Sequence, residues 1–327
     1  MDNNNQRFAF VDLCKVLAMF LVTWAHCAQQ LCGNLFPELL ISKDSFISFN
    51  MAAFMIASGF VMNPLKIRNT PLRVFFHTKV IRLLVPMTVW YLLLIVVIYP
   101  KSLDYWTAYW YLSSLFVCLV TIKILSLFLT SQFVLCLFSI IILSIIPLQC
   151  FEKTIYMVPF LWVGYALRFV MKCVKLYHVI LLTLLYCFLY YFWDVRYSIY
   201  LSPFHIWEIN INSMFSLVYR FLIGVVGGVA FILWIRVGIE CGHFQRIISM
   251  AKLGKYTLVF YTMSFVLNAL LAKVMWHFGF YITTPGLLDI VSFILSVAMM
   301  ALMYYFQKYL EHNKISCIFL GIVYRKL

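Results

Sequence analysis

The 327-residue chain is 65% hydrophobic and only 11% charged, a balance that excludes a soluble globular domain and makes it a polytopic membrane protein. Its formal net charge of +14 invites a nucleic-acid partner, but the basic residues lie where membrane topology wants them, and no nucleic acid is expected. The ten cysteines form no C-x-x-C pair and no Cys/His zinc spacing, so no metal site is expected.

Taken in chain order, the N-terminal MDNNNQRF has no basic region, short apolar core or small-residue cleavage site, so the stretch from Phe8 is expected to be a retained span. That first span, Phe8 to Ala28, carries Asp12, Lys15 and His26 in an otherwise apolar segment. A Lys or Asp near the centre of a membrane helix costs roughly 2.5–3.5 kcal/mol, and such residues are retained mainly where they face a protein interior or a water-filled cavity. At about 100° per residue, His26 lies about 20° around the helix from Lys15, and Asp12 about 60° from it on the same side. A rise of about 1.5 Å per residue separates Lys15 and His26 by roughly 16–17 Å. The two cannot touch, but they can grip two ends of one long ligand. Cys27 and Cys32 end this span either as a disulfide or, the commoner outcome, as separate packed thiols.

At about 20 apolar residues per span, nine further helices are expected, over 46–62, 83–99, 107–125, 133–149, 155–171, 176–194, 213–236, 257–278 and 287–307. The fold class is therefore all-α, a polytopic helical bundle of about ten transmembrane helices, with residues 1–327 forming a single membrane domain and no separate soluble domain. With the N-terminus in the cytoplasm, inner loops fall at 63–82, 126–132, 172–175, 237–256 and 308–327. Lys66, Arg68, Arg73, Lys79 and Arg82 crowd the first of these, and Arg236, Arg246, Lys252 and Lys255 the fourth, whereas the outer loops hold only Lys43, Lys101, Lys153 and Arg196. This is the positive-inside pattern, and it is what a chain with both termini in the cytoplasm is expected to show.

Three later features stand out. Arg220, in the eighth span, either binds a substrate or pairs with a carboxylate. Gly224-x-x-Gly227-Gly228 is expected to pack helices closely. The outer loop from Asp194 to Asn212, with Tyr197, Tyr200, His205, Trp207 and Glu208, is either an acceptor site where sugars stack on aromatics or, the favoured reading, an interfacial aromatic belt.

Several fragments together resemble the membrane acyltransferase-3 family, integral-membrane proteins that acylate hydroxyls, usually on cell-surface glycans. Lys15 and His26 match its basic residue, ten residues, then His; Arg7 and Asp12 match its lead-in. Phe49 to Phe60 resembles its "MPxFFxxSGF" stretch, and Lys79-Val80-Ile81-Arg82 its basic-x-x-Arg motif. Trp110-Tyr111-Leu112-x-x-Leu115 resembles its "WYLxxL" span. Phe160 to Tyr165 and Leu253 to Tyr261 are similar to two later signatures. Lys15 stands where many relatives have Arg, which keeps the charge and loses the planar fork. Ala52-Ala53 replaces a Met-Pro-like pair, so the second span is expected to be less bent than in relatives. Ser264 stands where relatives often have a His, so no second catalytic His is carried over.

The resemblance implies acyl transfer from coenzyme A, with acetyl-CoA as the expected co-substrate, membrane lipids as surroundings, and a glycan or lipid-linked saccharide as acceptor. Lys79, Arg82 and Arg73 are candidate donor-phosphate contacts, against simple positive-inside anchoring; Ser58, with Gly59, is read as shaping the donor site rather than as a nucleophile. His26 is the candidate general base, since a neutral imidazole with an unperturbed pKa of about 6.5 suits work near neutrality. Lys15 is expected to steady the donor or the anionic transition state, and Asp12 to act with it or simply neutralise it. Trp110, Arg220 and Glu208 are the candidate substrate-binding residues. The rival reading is a transporter or flippase for a glycan or lipid intermediate, which also needs intramembrane charges.

Overall fold

An apolar run inside a bilayer must satisfy its backbone internally, and a helix does so within one segment. The computed structural model describes residues 3–33, 41–97, 105–145, 152–194, 197, 211–243 and 247–310, and among these no strand occurs. In chain order the helices are α1 (Asn3–Leu31), α2 (Ile41–Val61), α3 (Pro64–Asn69), α4 (Leu72–Lys79), α5 (Val85–Val97), α6 (Tyr105–Ala108), α7 (Trp110–Phe128), α8 (Gln132–Ile145), α9 (Glu152–Val170), α10 (Leu176–Tyr191), α11 (Ile211–Glu240), α12 (Thr257–Phe278) and α13 (Pro285–Leu310). A helix stands at each of the ten expected span positions. Among the described residues, eight helical stretches are long and apolar enough to cross a membrane. α8 and α10, of 14 and 16 residues, are about 21 and 24 Å long, short of a hydrocarbon core of about 30 Å. The protein is a multi-pass, all-α membrane protein.

One stretch differs from the sequence expectation. Residues 63–82 are largely helical rather than a loop: α3 is followed by α4, and a π turn over Val80–Leu84 joins α4 to α5. Arg73, His77, Lys79 and Arg82 depress the local hydropathy, so an apolar count begins the third span at 83. The backbone has no reason to stop there, because Phe75 buries its ring and the Phe75 N–H already bonds the Pro71 carbonyl at 2.9 Å. A second irregular stretch, a 3₁₀ segment over Ile248–Tyr256, leads into α12.

The chain divides into two compact units. Unit 1 comprises Met1–Val16, Ser48–Phe76 and Ser113–Gly254; unit 2 comprises Leu17–Ile47, His77–Leu112 and Lys255–Leu327. Within unit 1, glycines set the approach of α2, α9 and α11. A Cβ on Gly59 would overlap the Leu161 carbonyl oxygen, and one on Gly164 the Ile56 carbonyl oxygen. Toward α11, a Cβ on Gly224 would lie 3.3 Å from the Ala52 Cβ, and one on Gly228 3.1 Å from the Ala53 nitrogen. The Ala52-Ala53 pair therefore meets glycines, small against small, which is how membrane helices gain contact without a hydrophobic drive. α2 runs unbroken through this pair. Gly59→Ala and Gly164→Ala are each expected to lower stability by about 1–3 kcal/mol, because backbone carbonyls cannot swing aside. The thermal midpoint in detergent checks this, with Gly286→Ala, which meets nothing within 4 Å among the described residues, as the neutral control.

Within unit 2, Tyr109 donates its hydroxyl to the Thr262 carbonyl at 3.3 Å, and the Tyr109 and Tyr111 rings stand 6.3 and 5.6 Å from Tyr261. The start of the Trp-Tyr-Leu span thus packs on the end of the Leu-Gly-Lys-Tyr run. Trp24 donates its indole N–H to Ser292 at 2.9 Å and lies between Phe46 and Phe293, with ring centroids 4.8 and 5.3 Å away. Cys27 and Cys32 are both buried free thiols, so of the two alternatives they take separate packing.

Candidate active site

The first span has no glycine or proline from Phe8 to Ala28, so α1 propagates unbroken until Gly33, whose φ of 69° ends it in the left-handed region. Asp12, Lys15 and His26 therefore all belong to the one helix α1. In unit 1, Lys15 Nζ stands 4.0 Å from Asp12 Oδ1, the two side chains being 20% and 37% exposed. This is a loose ion pair that leaves both groups reachable. Gly254 lies directly on Asp12: a Cβ there would come within 2.7 Å of the Asp12 Cα and 2.8 Å of its Cγ. The glycine of the Leu-Gly-Lys-Tyr run is thus what lets that segment seat against the acidic residue of the first span. The Phe10 and Phe60 rings, 6.2 Å apart edge to face, bring α1 to the Ser-Gly-Phe end of α2. Ser58 there is half-buried.

Arg220 is buried at 5% exposure, donates from Nη1 to the Tyr156 hydroxyl at 2.7 Å, and holds its guanidinium 4.9 Å from the same ring. A tyrosine hydroxyl and π face therefore receive this cation, as helix α9 meets α11. Arg73 is exposed on α4.

In unit 2, His26 is half-buried between the buried Ala25 and Cys27. Ser264 on α12 is buried, donates to the Tyr261 carbonyl at 2.9 Å, and its own carbonyl receives the Asn268 amide at 2.7 Å. Ser264 thus spends its hydroxyl on the backbone. Lys79 and Arg82 lie at the entry to α5, half-buried and exposed respectively. Pro86 has no N–H for the Arg82 carbonyl, and the local backbone takes the wider spacing instead: the Val85 N–H bonds Val80 O, five residues back. A π turn of this kind recurs at functional sites and re-aims the side chains it carries; here it carries the second basic residue of the pair. Trp110 is buried at 6%, with its ring 6.4 Å from Tyr111. Glu208, with His205 and Trp207, lies outside the described residues.

One charged residue escaped the sequence reading. Lys123, in the second half of α7, is 1% exposed, and its Nζ donates to the carbonyls of Ile67, Arg68 and Thr70 at 2.9, 2.8 and 2.7 Å. All three ammonium protons are used. The acceptors are carbonyls at the end of α3, which has no following turn to bond them. Asn63 caps the other end, accepting the Lys66 N–H, with Pro64 at the first helical position. Lys123 thereby fixes the segment that carries Lys66, Arg68 and Arg73. The signal was present, since a lone Lys in TIKILS is the same anomaly that marks Lys15.

Neither the curated proteins nor the solved structures compared with the chain include a match. The model of an acyltransferase domain, that of the acyltransferase-3 family, matches residues 8–305, from the first span to the last, and the chain belongs to that family.

Proposed function

We propose that the protein is an O-acyltransferase that moves an acyl group, acetyl in the simplest case, from acyl-CoA to a sugar hydroxyl of a cell-surface polysaccharide or lipid-linked glycan precursor. The observation that carries this reading is the unbroken helix α1 of an acyltransferase-family chain, with a cation and an imidazole on one side of it. His26 acts as general base: it takes the acceptor hydroxyl's proton as the oxygen attacks the thioester carbonyl, the C–O bond forms, the C–S bond breaks, and the proton passes to the departing thiolate. Lys15, held by Asp12, balances charge on the donor or on the anionic transition state. Lys79, Arg82 and Arg73 receive the donor phosphates at the cytoplasmic edge, with Ser58 shaping the donor path and Trp110, Arg220 and Glu208 on the acceptor side. Both termini lie in the cytoplasm of a cell whose inner membrane holds the protein.

The test is release of free thiol from acetyl-CoA, with a total cell-envelope glycan extract as acceptor, by membranes carrying the protein and by empty membranes. Acceptor-dependent thiol release supports the reading. Lys15→Ala is expected to lower kcat/KM by about 10- to 100-fold, the range for a lost charge-assisted contact of 1.5–3 kcal/mol, with Lys15→Arg retaining most of it. No thiol release from acetyl-CoA or from longer acyl-CoA donors overturns the reading and leaves transport of a glycan or lipid intermediate as the better account.

A further inference from the structure

We infer that Trp90 and Gln307 form the hydrogen-bonding subsite for the amide groups of the acyl donor's pantetheine arm, an assignment that rests on the acyl-CoA reading above. Gln307, on α13, is 0% exposed, and among the described residues neither its side-chain nitrogen nor its side-chain oxygen has a hydrogen-bond partner. Trp90, on α5, is 8% exposed, and its indole N–H likewise has none among them. An apolar helix interior penalises each such group, and a bilayer offers no water to relieve it. These three polar atoms belong to neighbouring helices of unit 2, since the Trp90 ring lies 6.4 Å from the ring of Phe306, the residue preceding Gln307.

Position identifies the ligand. Trp90 follows Arg82 by eight residues, about 12 Å along the helix, so a donor whose phosphates rest on Lys79 and Arg82 would lay its arm past Trp90. Gln307 stands at the inner end of a buried face of α13 that continues through Met303, Met299 and Ser296 to Ser292. Further along that face Ser292 accepts the indole N–H of Trp24 at 2.9 Å, a residue two positions from His26. Fifteen residues separate Gln307 from Ser292, about 22 Å of helix. The buried face therefore runs from the donor entrance toward the base.

The chemistry matches along this path. The pantetheine arm is uncharged and carries two secondary amides, each with one N–H and one carbonyl. A primary carboxamide offers the complementary acceptor and donors, and an indole N–H suits a carbonyl. A lipid chain would leave all three atoms unmatched.

The experiment uses the purified full chain in detergent, comparing wild type with Gln307→Met, which removes both polar atoms and keeps the side chain's length, and with Trp90→Phe. Without ligand, Gln307→Met is expected to melt at or above the wild-type temperature, because it deletes an unpartnered amide. With acetyl-CoA, its KM is expected to rise about tenfold, the loss falling on KM rather than kcat, and Trp90→Phe is expected to do likewise to a smaller extent. Inhibition by the adenosine bisphosphate nucleotide that lacks the arm is expected to be unchanged, which separates an arm contact from general loosening. A lower melting temperature with unchanged KM would show that the amide is paired within the fold, through water for instance, and would overturn the subsite. So would an unchanged KM in both variants. If acetyl-CoA shifts the melting of wild type not at all, the acyl-CoA reading fails and takes the subsite with it; a wild-type shift that Gln307→Met retains in full sinks the subsite alone.

Discussion

Replacing His26 by alanine is expected to reduce acyl transfer by about 10²–10⁴-fold, the range for removing a positioned general base, with the protein still inserted and folded. The side chain is half-buried on α1, flanked by buried Ala25 and Cys27, so the truncation leaves those two buried neighbours in place. What it removes is the group that takes the hydroxyl proton. His26→Gln separates this from a positional role, since an amide of similar reach keeps a hydrogen bond and accepts no proton at neutral pH; both variants are expected to lose the same activity. The pH profile gives a second sign. The wild-type rate should fall in acid, where an imidazolium has no lone pair to offer, and that limb should vanish together with the residue. Thiol release measured across pH with saturating donor checks both. A His26→Gln enzyme within a few-fold of wild type, still falling in acid, would reassign the base to another group.

The helix that carries this test was legible because two independent periodicities agree on it: a membrane-length apolar run, and three ionisable groups that fall on one side at about 100° per residue. The same hydropathy argument located a helix at all ten expected spans, yet it began the third too late. Arg73, Lys79 and Arg82 depress a hydropathy average without ending a helix, and nothing in an average reports that Pro86 forces the Val80–Leu84 turn into wider spacing. The close contacts of Gly59, Gly164, Gly224 and Gly228 were partly legible, since small residues inside membrane helices have few other uses, but their partners were not. That Gly254 is seated on Asp12 joins two fragments which the sequence offered separately. The orphaned atoms of Gln307 and Trp90 were out of reach altogether, because burial of an amide depends on which helix faces meet and not on local composition.

Lys123→Met is expected to be the most damaging substitution outside the catalytic stripe, with a loss of about 3 kcal/mol or more. Two effects oppose one another. Removing a buried ammonium relieves its desolvation cost, which favours methionine. Against this, the carbonyls of Ile67, Arg68 and Thr70, each 2.7–2.9 Å from Nζ, lose their donor together, and they sit at the end of α3 where the helix dipole favours a cation. A bond to a charged donor is worth about 1.5–3 kcal/mol and an abandoned buried acceptor costs about 1–3 kcal/mol, so three of them outweigh one ammonium. Partial access of water to Arg68 and Thr70, both half-buried, trims that sum but does not reverse its sign. The damage should be local first. Lys66 is exposed and Arg68 half-buried in the pinned segment, so trypsin is expected to cut there in Lys123→Met at a temperature where the wild-type segment resists. Lys123→Arg should protect only in part, because a planar fork cannot direct three donors at carbonyls grouped around a single nitrogen. Equal trypsin resistance in wild type and Lys123→Met would mean that α3 holds itself, through Asn63 and Pro64, without the buried lysine. The expected early cleavage would instead make Lys123 the support on which the basic segment depends, and would predict that the same variant raises KM for acyl-CoA without changing the pH profile set by His26.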